Sequence, residues 1–281
     1  MSCDLHTHSC FSDGELRPAA LVEAARAAGL EVLALTDHDT TDGIPEARAR
    51  AREVGLELLP AIEISVNEDE GRTQLHMLGY GIDIDEPGLR TCLSELARAR
   101  VERAERCLAQ LAGLGIELDA DALRAGAAEG TIGRPHIARA LVEAGVCRSP
   151  DDAFARYLRR GRPAFVAAPG LSARHALQVI HAAGGIASLA HPFLSAGVDA
   201  AGGIEKFVGR LIALGLDALE VHHPRHSRAQ RKRLGQLARR YGRLVTGGSD
   251  FHGASKPDIA LGSVHIDQER FAAIRARLSR A

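Results

Sequence analysis

Histidines and carboxylates recur at particular places along this chain. His6 and His8 end and follow the first apolar run, Asp37 and His38 follow the second, and Glu63 follows the third. His191, His222 and the group Asp250 with His252 each follow a later run, and His76 lies inside a fourth. Imidazole suits zinc, iron and manganese, whereas carboxylates suit harder ions and can bridge two of them. A mixed set of about nine groups exceeds the coordination needs of one ion. It therefore predicts two or three divalent cations. His6 and His8 are two apart on an extended segment, so they face one side and one ion can take both. His136, His175, His181, His222, His223, His226 and His265 have no forced role on these grounds.

Such residues must be brought together by the elements that carry them. Short runs rich in Val, Ile and Leu alternate with Ala/Arg/Glu/Leu stretches of helical period, the pattern of βα units. Strands are expected over 3–6, 32–36, 56–62, 74–80, 186–190, 218–221 and 244–246, with a short one near 263–266. Helices are expected over 17–28, 44–54, 172–183, 227–241 and 268–278, with another ending near 214. Pro18 in a first turn and Gly29 just past an end are the usual helix punctuation. From about 86 to 162 the alternation stops, and helices are expected over 89–114, 120–125, 135–144 and 151–160. The fold class is thus an α/β barrel closed by parallel strands over 1–85 and 167–281, with an all-α insertion over 86–166. The first helix is not opened by a Gly-rich dinucleotide loop, which favours a barrel over an open sheet. In a parallel barrel the carboxyl ends of the strands share one face, so residues far apart in sequence share one pocket.

Composition sets outer bounds. The chain has 281 residues, 46% apolar and 25% charged, as expected of a globular protein. No long apolar run escapes interruption by a charge or Gly, so no membrane span is expected. A polar motif begins by residue 4, which leaves no room for a signal peptide, and a cytoplasmic location is expected. Cys3, Cys10, Cys92, Cys107 and Cys147 are an odd set without CxxC spacing, and read as free thiols. A net charge of −1 gives no global electrostatic footprint for long nucleic acid. Lysine occurs only at 206, 232 and 256, so abundant arginine is partly a lineage habit and is not by itself a sign of phosphate binding.

Four motifs occur in order: Asp4-Leu5-His6-Thr7-His8-Ser9, Thr36-Asp37-His38-Asp39, Ala190-His191-Pro192 and Gly248-Ser249-Asp250-Phe251-His252. Together they resemble the polymerase and histidinol phosphatase (PHP) family, and the resemblance runs over nearly the whole chain. It implies a distorted barrel of seven βα units with a trinuclear centre, manganese being the expected ion and iron or zinc the alternatives. By position, His6, His8 and Asp250 would bind one ion, and Glu63 would bridge it to a second held by His76 and His191. Asp13, in Phe11-Ser12-Asp13-Gly14, would hold a third with His38 and His252. Asp37 would orient a neighbouring ligand. Ions of this kind lower the pKa of bound water from ~15.7 toward ~7, supplying hydroxide for attack on phosphorus. Asp250 would orient that hydroxide, and Glu63 and His191 would complete the catalytic group.

The insertion, with Thr131-Ile132-Gly133-Arg134-Pro135-His136, resembles the family branch that dephosphorylates nucleoside 3′,5′-bisphosphates and trims short 5′-phosphorylated oligonucleotides. A physical argument runs beside it. Pro135 suits a first helical position, and free amides beside the Arg134 guanidinium make an anion site. His136 joins that loop, and Arg100 and Arg103, spaced i, i+3, could add a phosphate contact. A phosphorylated nucleotide is thus the expected partner, with no obligatory protein partner. Two other enzymes remain open, a histidinol-phosphate phosphatase and a metal-dependent amidohydrolase. Binuclear amidohydrolases use a bridging carbamylated lysine at a strand end, yet Lys206 and Lys232 fall in expected helices and Lys256 in a loop. A metal-binding accessory module without catalysis is the reading of another class.

Overall fold

The computed structural model describes residues 2–68, 73–120, 122–123, 133–167, 170–195, 197–198, 202–264 and 266–279. Seven strands alternate with helices before and after a helical stretch. In order they are β1 (Cys3–Thr7), α1 (Pro18–Ala27), β2 (Val32–Leu35), α2 (Ile44–Val54), β3 (Glu57–Glu68) and β4 (Thr73–Tyr80). Next come α3 (Pro87–Ala112), α4 (Arg134–Glu143) and the short α5 (Pro150–Ala153), which runs into a π-helical turn at Phe154–Leu158. The second half holds α6 (Ala173–Ala182), β5 (Ile186–Leu189), α7 (Ile204–Ala213), β6 (Ala218–His222), α8 (Arg228–Tyr241), β7 (Leu244–Gly247) and α9 (Gln268–Leu278).

The strands pair in sequence order, β1 through β7. All pairs are parallel except β3–β4 and β4–β5. This corrects the all-parallel expectation. Only residues 69–72 separate β3 from β4. So short a link permits a hairpin, whereas a parallel crossover needs a dozen residues or more. The hairpin also lengthens β3 to Glu68, beyond the expected end at 62, through the β-branched pair Ile64 and Val66. Glu63 therefore lies within its strand, level with the end of β2, where it bridges to His38. The strand expected near 263–266 does not form among the described residues, and the helix expected over 120–125 and the pair Thr131-Ile132 fall largely outside them.

Backbone contacts bring β7 to β1 and nearly close the barrel. The His8 N–H donates to the Phe251 carbonyl at 3.0 Å and the Asp250 N–H to the His6 carbonyl at 2.8 Å. A buried carboxylate ties the same seam: Asp4 accepts the Ser249 N–H at 2.8 Å and the Gly262 N–H at 2.9 Å. Gly248 is what allows this approach, since a Cβ there would collide with the backbone and Cβ of His6. Gly248→Ala is expected to destabilise the protein by about 1–3 kcal/mol, as overpacking does, read as a lowered midpoint in urea.

β1 and β2 are buried along their whole length; β2 reads as a continuous apolar run, whereas β1 buries Asp4, His6 and Thr7 among Cys3 and Leu5. α1 and α2 cover one flank with Leu21, Val22, Ile44 and Ala47, and α6 and α7 cover the other with Leu177, Ile180, Phe207 and Leu211. α3 serves two cores. Its first half packs Leu89, Leu93 and Leu96 on the barrel, and its second half packs Cys107 and Leu111 against Ile137 and Leu141 of α4. The helical insertion thus has a small core of its own. All five cysteines are free thiols. No helix among the described residues is long and apolar enough to cross a membrane.

Candidate metal centre

The ends of β1 and β2, the β3–β4 hairpin and the segments after β5 and β7 converge on Glu63, which is fully buried. Its two oxygens face different partners. Oε1 lies 3.0 Å from His76 Nδ1 and 2.9 Å from His191 Nε2. Oε2 lies 3.1 Å from His6 Nε2, 3.2 Å from His8 Nε2 and 3.3 Å from His38 Nδ1. Asp250 Oδ1 stands 3.6 Å from His6 Nε2 and 3.3 Å from His8 Nε2. Asp13 completes the ring, with Oδ1 3.1 Å from His252 Nε2 and Oδ2 3.9 Å from His38 Nε2. All nine side chains expected to bind metal therefore meet in one place. Four overlapping groups, each with its ligand atoms within 4.8 Å of one another, have the composition of cation sites.

The chemistry of this set fits cations. His8 Nε2, Asp13 Oδ1, His38 Nδ1 and His76 Nδ1 are buried without a hydrogen bond of sound geometry among the described residues. A buried polar atom left unpaired is costly unless something else satisfies it. Burial alone would push the Glu63 carboxyl up, but the imidazoles of His38, His6 and His76 outweigh it and hold it well below the usual range. Asp13 and Asp250 are likewise driven up by burial and pulled well down by facing histidines, His252 and His6 foremost. Burial takes His38 the other way, down to about 3. Against burial, the same carboxylates raise His6 and His8, the latter to about 9, so a divalent cation entering this dry cluster of ionised carboxylates and imidazoles would replace ring protons.

Local backbone explains how the side chains are held. Positive φ at non-glycine residues occurs among the described residues only at Asp39 (54°), His191 (26°) and Asp250 (56°). All three border the site, and such conformations persist only where the surroundings enforce them. The loop bearing Asp13 is fixed by Asp37, which accepts the Ser9 N–H at 2.8 Å, the Ser9 hydroxyl at 2.6 Å and the Ser12 hydroxyl at 2.6 Å. Asp37 thus orients a loop, and through it a candidate ligand.

Three contributors escaped the sequence reading. His222, singled out after the sixth run, points away from the centre, because a register shift between Glu220 and His222 turns the next residue inward instead. That residue is His223, whose Nε2 lies 3.4 Å from Asp250 Oδ2. Lys256 donates to the same oxygen at 2.8 Å. Glu220 is fully buried, with Oε1 2.9 Å from His6 Nδ1 and Oε2 accepting the His191 N–H at 2.6 Å. Its signal was available, since a carboxylate inside the apolar run Ala218-Leu219-Glu220-Val221 is costly without partners. Glu220→Gln is expected to weaken metal affinity about 10–100-fold, as loss of a partner that orients a ligand does; competition with a fluorescent chelator measures it.

The arginines differ in their surroundings. Arg100, Arg103 and Arg134 border one cavity of about 200 Å³ together with Asp13, His38 and His76. Arg100 pairs with Asp39 and donates to Ser65 Oγ at 3.0 Å. Arg103 is buried, donates through Nε to the Val166 carbonyl at 3.1 Å, and its Nη2 has no hydrogen-bond partner among the described residues. Burial, followed by the charge of Arg134, lowers Arg103 to about 10. His136 does not join them. Its Nδ1 accepts the Gly133 N–H at 3.0 Å, capping α4, and its ring borders a different groove beside Arg139.

A barrel whose strand ends gather histidines and carboxylates around one bridging glutamate, beside an arginine-lined cavity, defines a metal-dependent phosphoric ester hydrolase. Residues 4–118 match the family model described as the PHP domain. A 5′-3′ exoribonuclease of Haemophilus influenzae is 40% identical over 253 residues, 89% of each chain. A 3′,5′-nucleoside bisphosphate phosphatase of Chromobacterium violaceum is 37% identical over 252 residues, 89% of this chain and 86% of that one. A crystal structure described as a metal-dependent phosphoesterase of Bifidobacterium adolescentis superposes with a TM-score of 0.87 at 36% identity, covering 98% of this chain and 96% of its own. The chain belongs to the PHP family of metal-dependent phosphoesterases.

Proposed function

We propose that the protein releases the 3′-phosphate of nucleoside 3′,5′-bisphosphates and trims short 5′-phosphorylated oligonucleotides. The observation that carries this reading is the cavity shared by candidate ligands and by Arg100, Arg103 and Arg134. One phosphate can meet the metal centre while a second meets guanidinium groups. Two relatives named a 5′-3′ exoribonuclease and a 3′,5′-nucleoside bisphosphate phosphatase support a nucleotide substrate.

In this reading three divalent cations bind; mixed imidazole and carboxylate donors admit manganese, iron or zinc, and the family resemblance favours manganese. His6, His8 and Asp250 hold the first, and Glu63 shares it with a second held by His76 and His191, in keeping with its divided oxygens. Asp13, His38 and His252 hold the third. Bound cations lower the pKa of coordinated water and neutralise charge on phosphate oxygens. Asp250 orients the attacking water, its carboxyl plane fixed by Lys256. Arg134 and Arg103 hold the phosphate that is not cleaved, their guanidinium forks matching its oxygens. Arg100 adds less, since Asp39 already offsets its charge.

The amidohydrolase reading would need Glu63 to replace the bridging carbamylated lysine, since Lys206 and Lys232 are exposed on helices and Lys256 pairs with Asp250. The test compares phosphate release from adenosine 3′,5′-bisphosphate, histidinol phosphate and a 5′-phosphorylated dinucleotide. Manganese, iron and zinc are each added to metal-stripped protein. The bisphosphate with manganese should turn over fastest. Equal or faster release from histidinol phosphate would overturn the substrate assignment.

A further inference from the structure

A second cationic feature lies on the outer wall of the barrel, away from the arginines that share the metal cavity. A groove of about 600 Å³ runs between α8 and α9, floored by Val221 and Val245. Arg228, Arg231, Lys232 and Arg239 of α8 and Arg270 of α9 line it; among the described residues no carboxylate does, although Arg270 is paired with Asp267. The chain as a whole carries a net charge of −1, so this is a local concentration and not a general excess.

Arg231 donates to the His226 carbonyl at 3.0 Å and Arg270 pairs with Asp267, but folding gives no such reason for Arg228, Lys232 and Arg239. α8 holds six cations and no anion over Arg228–Tyr241. Arg228 and Arg231 stand in its first turn, at the positive end of the helix dipole, where a cation costs about 0.3–1 kcal/mol. Among the described residues, Arg228, Lys232 and Arg239 have no carboxylate within ion-pair distance, whereas Arg233 of the same helix is paired with Glu205. Positions 228, 231, 232, 235 and 239 form a single stripe on the helix. Gly235 sits in the middle of it, and a Cβ there would meet no protein atom within 4 Å. Neither packing nor backbone conformation therefore requires that glycine, which costs about 1 kcal/mol in a helix interior relative to Ala. What it leaves is bare backbone on the groove floor, open to close approach.

The stripe from Arg228 to Arg239 spans about 16 Å at the helical rise. That length suits a linear polyanion and exceeds what one phosphate needs. The groove and the metal centre share strand β6: His222 borders the groove, while Glu220, two residues earlier and on the inner face, contacts His6. We propose that this groove docks the phosphodiester backbone of a single-stranded polynucleotide whose 5′ end occupies the metal centre. The inference rests on the nucleotide reading of that centre. It makes the enzyme's reach longer than its active site, with α8 holding the chain downstream of the residue being removed. Apart from His222, no ring borders the groove, so contact is to phosphates and independent of base sequence.

The test measures binding of a 3′-fluorescein 20-nucleotide RNA, with phosphorothioate terminal linkages, to the metal-loaded enzyme. Lys232→Glu with Arg239→Glu should raise Kd for it about tenfold or more and lower the salt slope by about 1.4, two contacts at about 0.7 each. Both side chains are exposed, so release of phosphate from adenosine 3′,5′-bisphosphate should stay unchanged and report an intact fold. Arg240→Glu, on the same helix outside the groove, should change Kd less than about twofold. An unchanged Kd in the double variant, an equal loss in Arg240→Glu, or displacement of the RNA by anionic vesicles would overturn the proposal. The two readings fail separately. If no nucleotide is hydrolysed yet the double variant still loses RNA, the active-site reading falls and the groove stands; the reverse result removes the groove alone.

Discussion

Glu63→Gln is expected to lower phosphate release by about three orders of magnitude or more while leaving the barrel folded. Glu63 is the one side chain that both groups of imidazoles face, His76 and His191 at one oxygen and His6, His8 and His38 at the other. An amide of the same shape keeps one acceptor and loses the negative charge. It also offers an N–H to whichever group it turns toward, which is a poor match for a cation site. Loss of several kcal/mol of charge stabilisation is what removal of a bridging ligand implies, and each 1.36 kcal/mol is tenfold in rate. The check is steady-state phosphate release together with metal content by mass spectrometry. Release within tenfold of the parent, with full metal content, would remove Glu63 from the centre of the mechanism.

Arg134→Met carries the second large effect, and it should be selective. Arg134 and Arg103 border the cavity beside the candidate ligands, and Arg134 stacks 5.9 Å from the Phe154 ring centroid. A charged hydrogen bond to phosphate contributes about 1.5–3 kcal/mol, so kcat/KM for a bisphosphate should fall roughly 10–150-fold. A substrate with one phosphate has nothing at that position to lose. Its kcat/KM should stay within about twofold, and equal losses on both substrates would show that Arg134 supports the fold or the metal centre and does not read a second phosphate.

Much of this arrangement was legible in the sequence, for identifiable reasons. Ligand placement followed from apolar runs ending in His or Asp, because strand ends on one side of a barrel share a face. The helix Ile44–Val54 was readable to the residue, since Pro45 opens it and Gly55, at a φ of 66°, closes it. The reversed β4 was less legible. Its apolar pattern does not depend on strand direction, and only the short link after Glu68 carries the information. His223 was hidden by the register shift near Glu220, since period two continued through the strand favours His222. His136 has a role that the sequence pattern did not carry: a helix start needs a cap, and its ring accepts the Gly133 N–H.

A metal titration tests the central claim most directly. Metal-stripped protein is titrated with manganese while phosphate release from adenosine 3′,5′-bisphosphate and bound metal are followed in the same samples. Release should be absent at the start, rise with added ion and level off near three equivalents per chain, in keeping with nine candidate ligands, Glu63 among them. Full release from stripped protein, or a plateau at one equivalent, would contradict a centre in which this carboxylate bridges neighbouring ions.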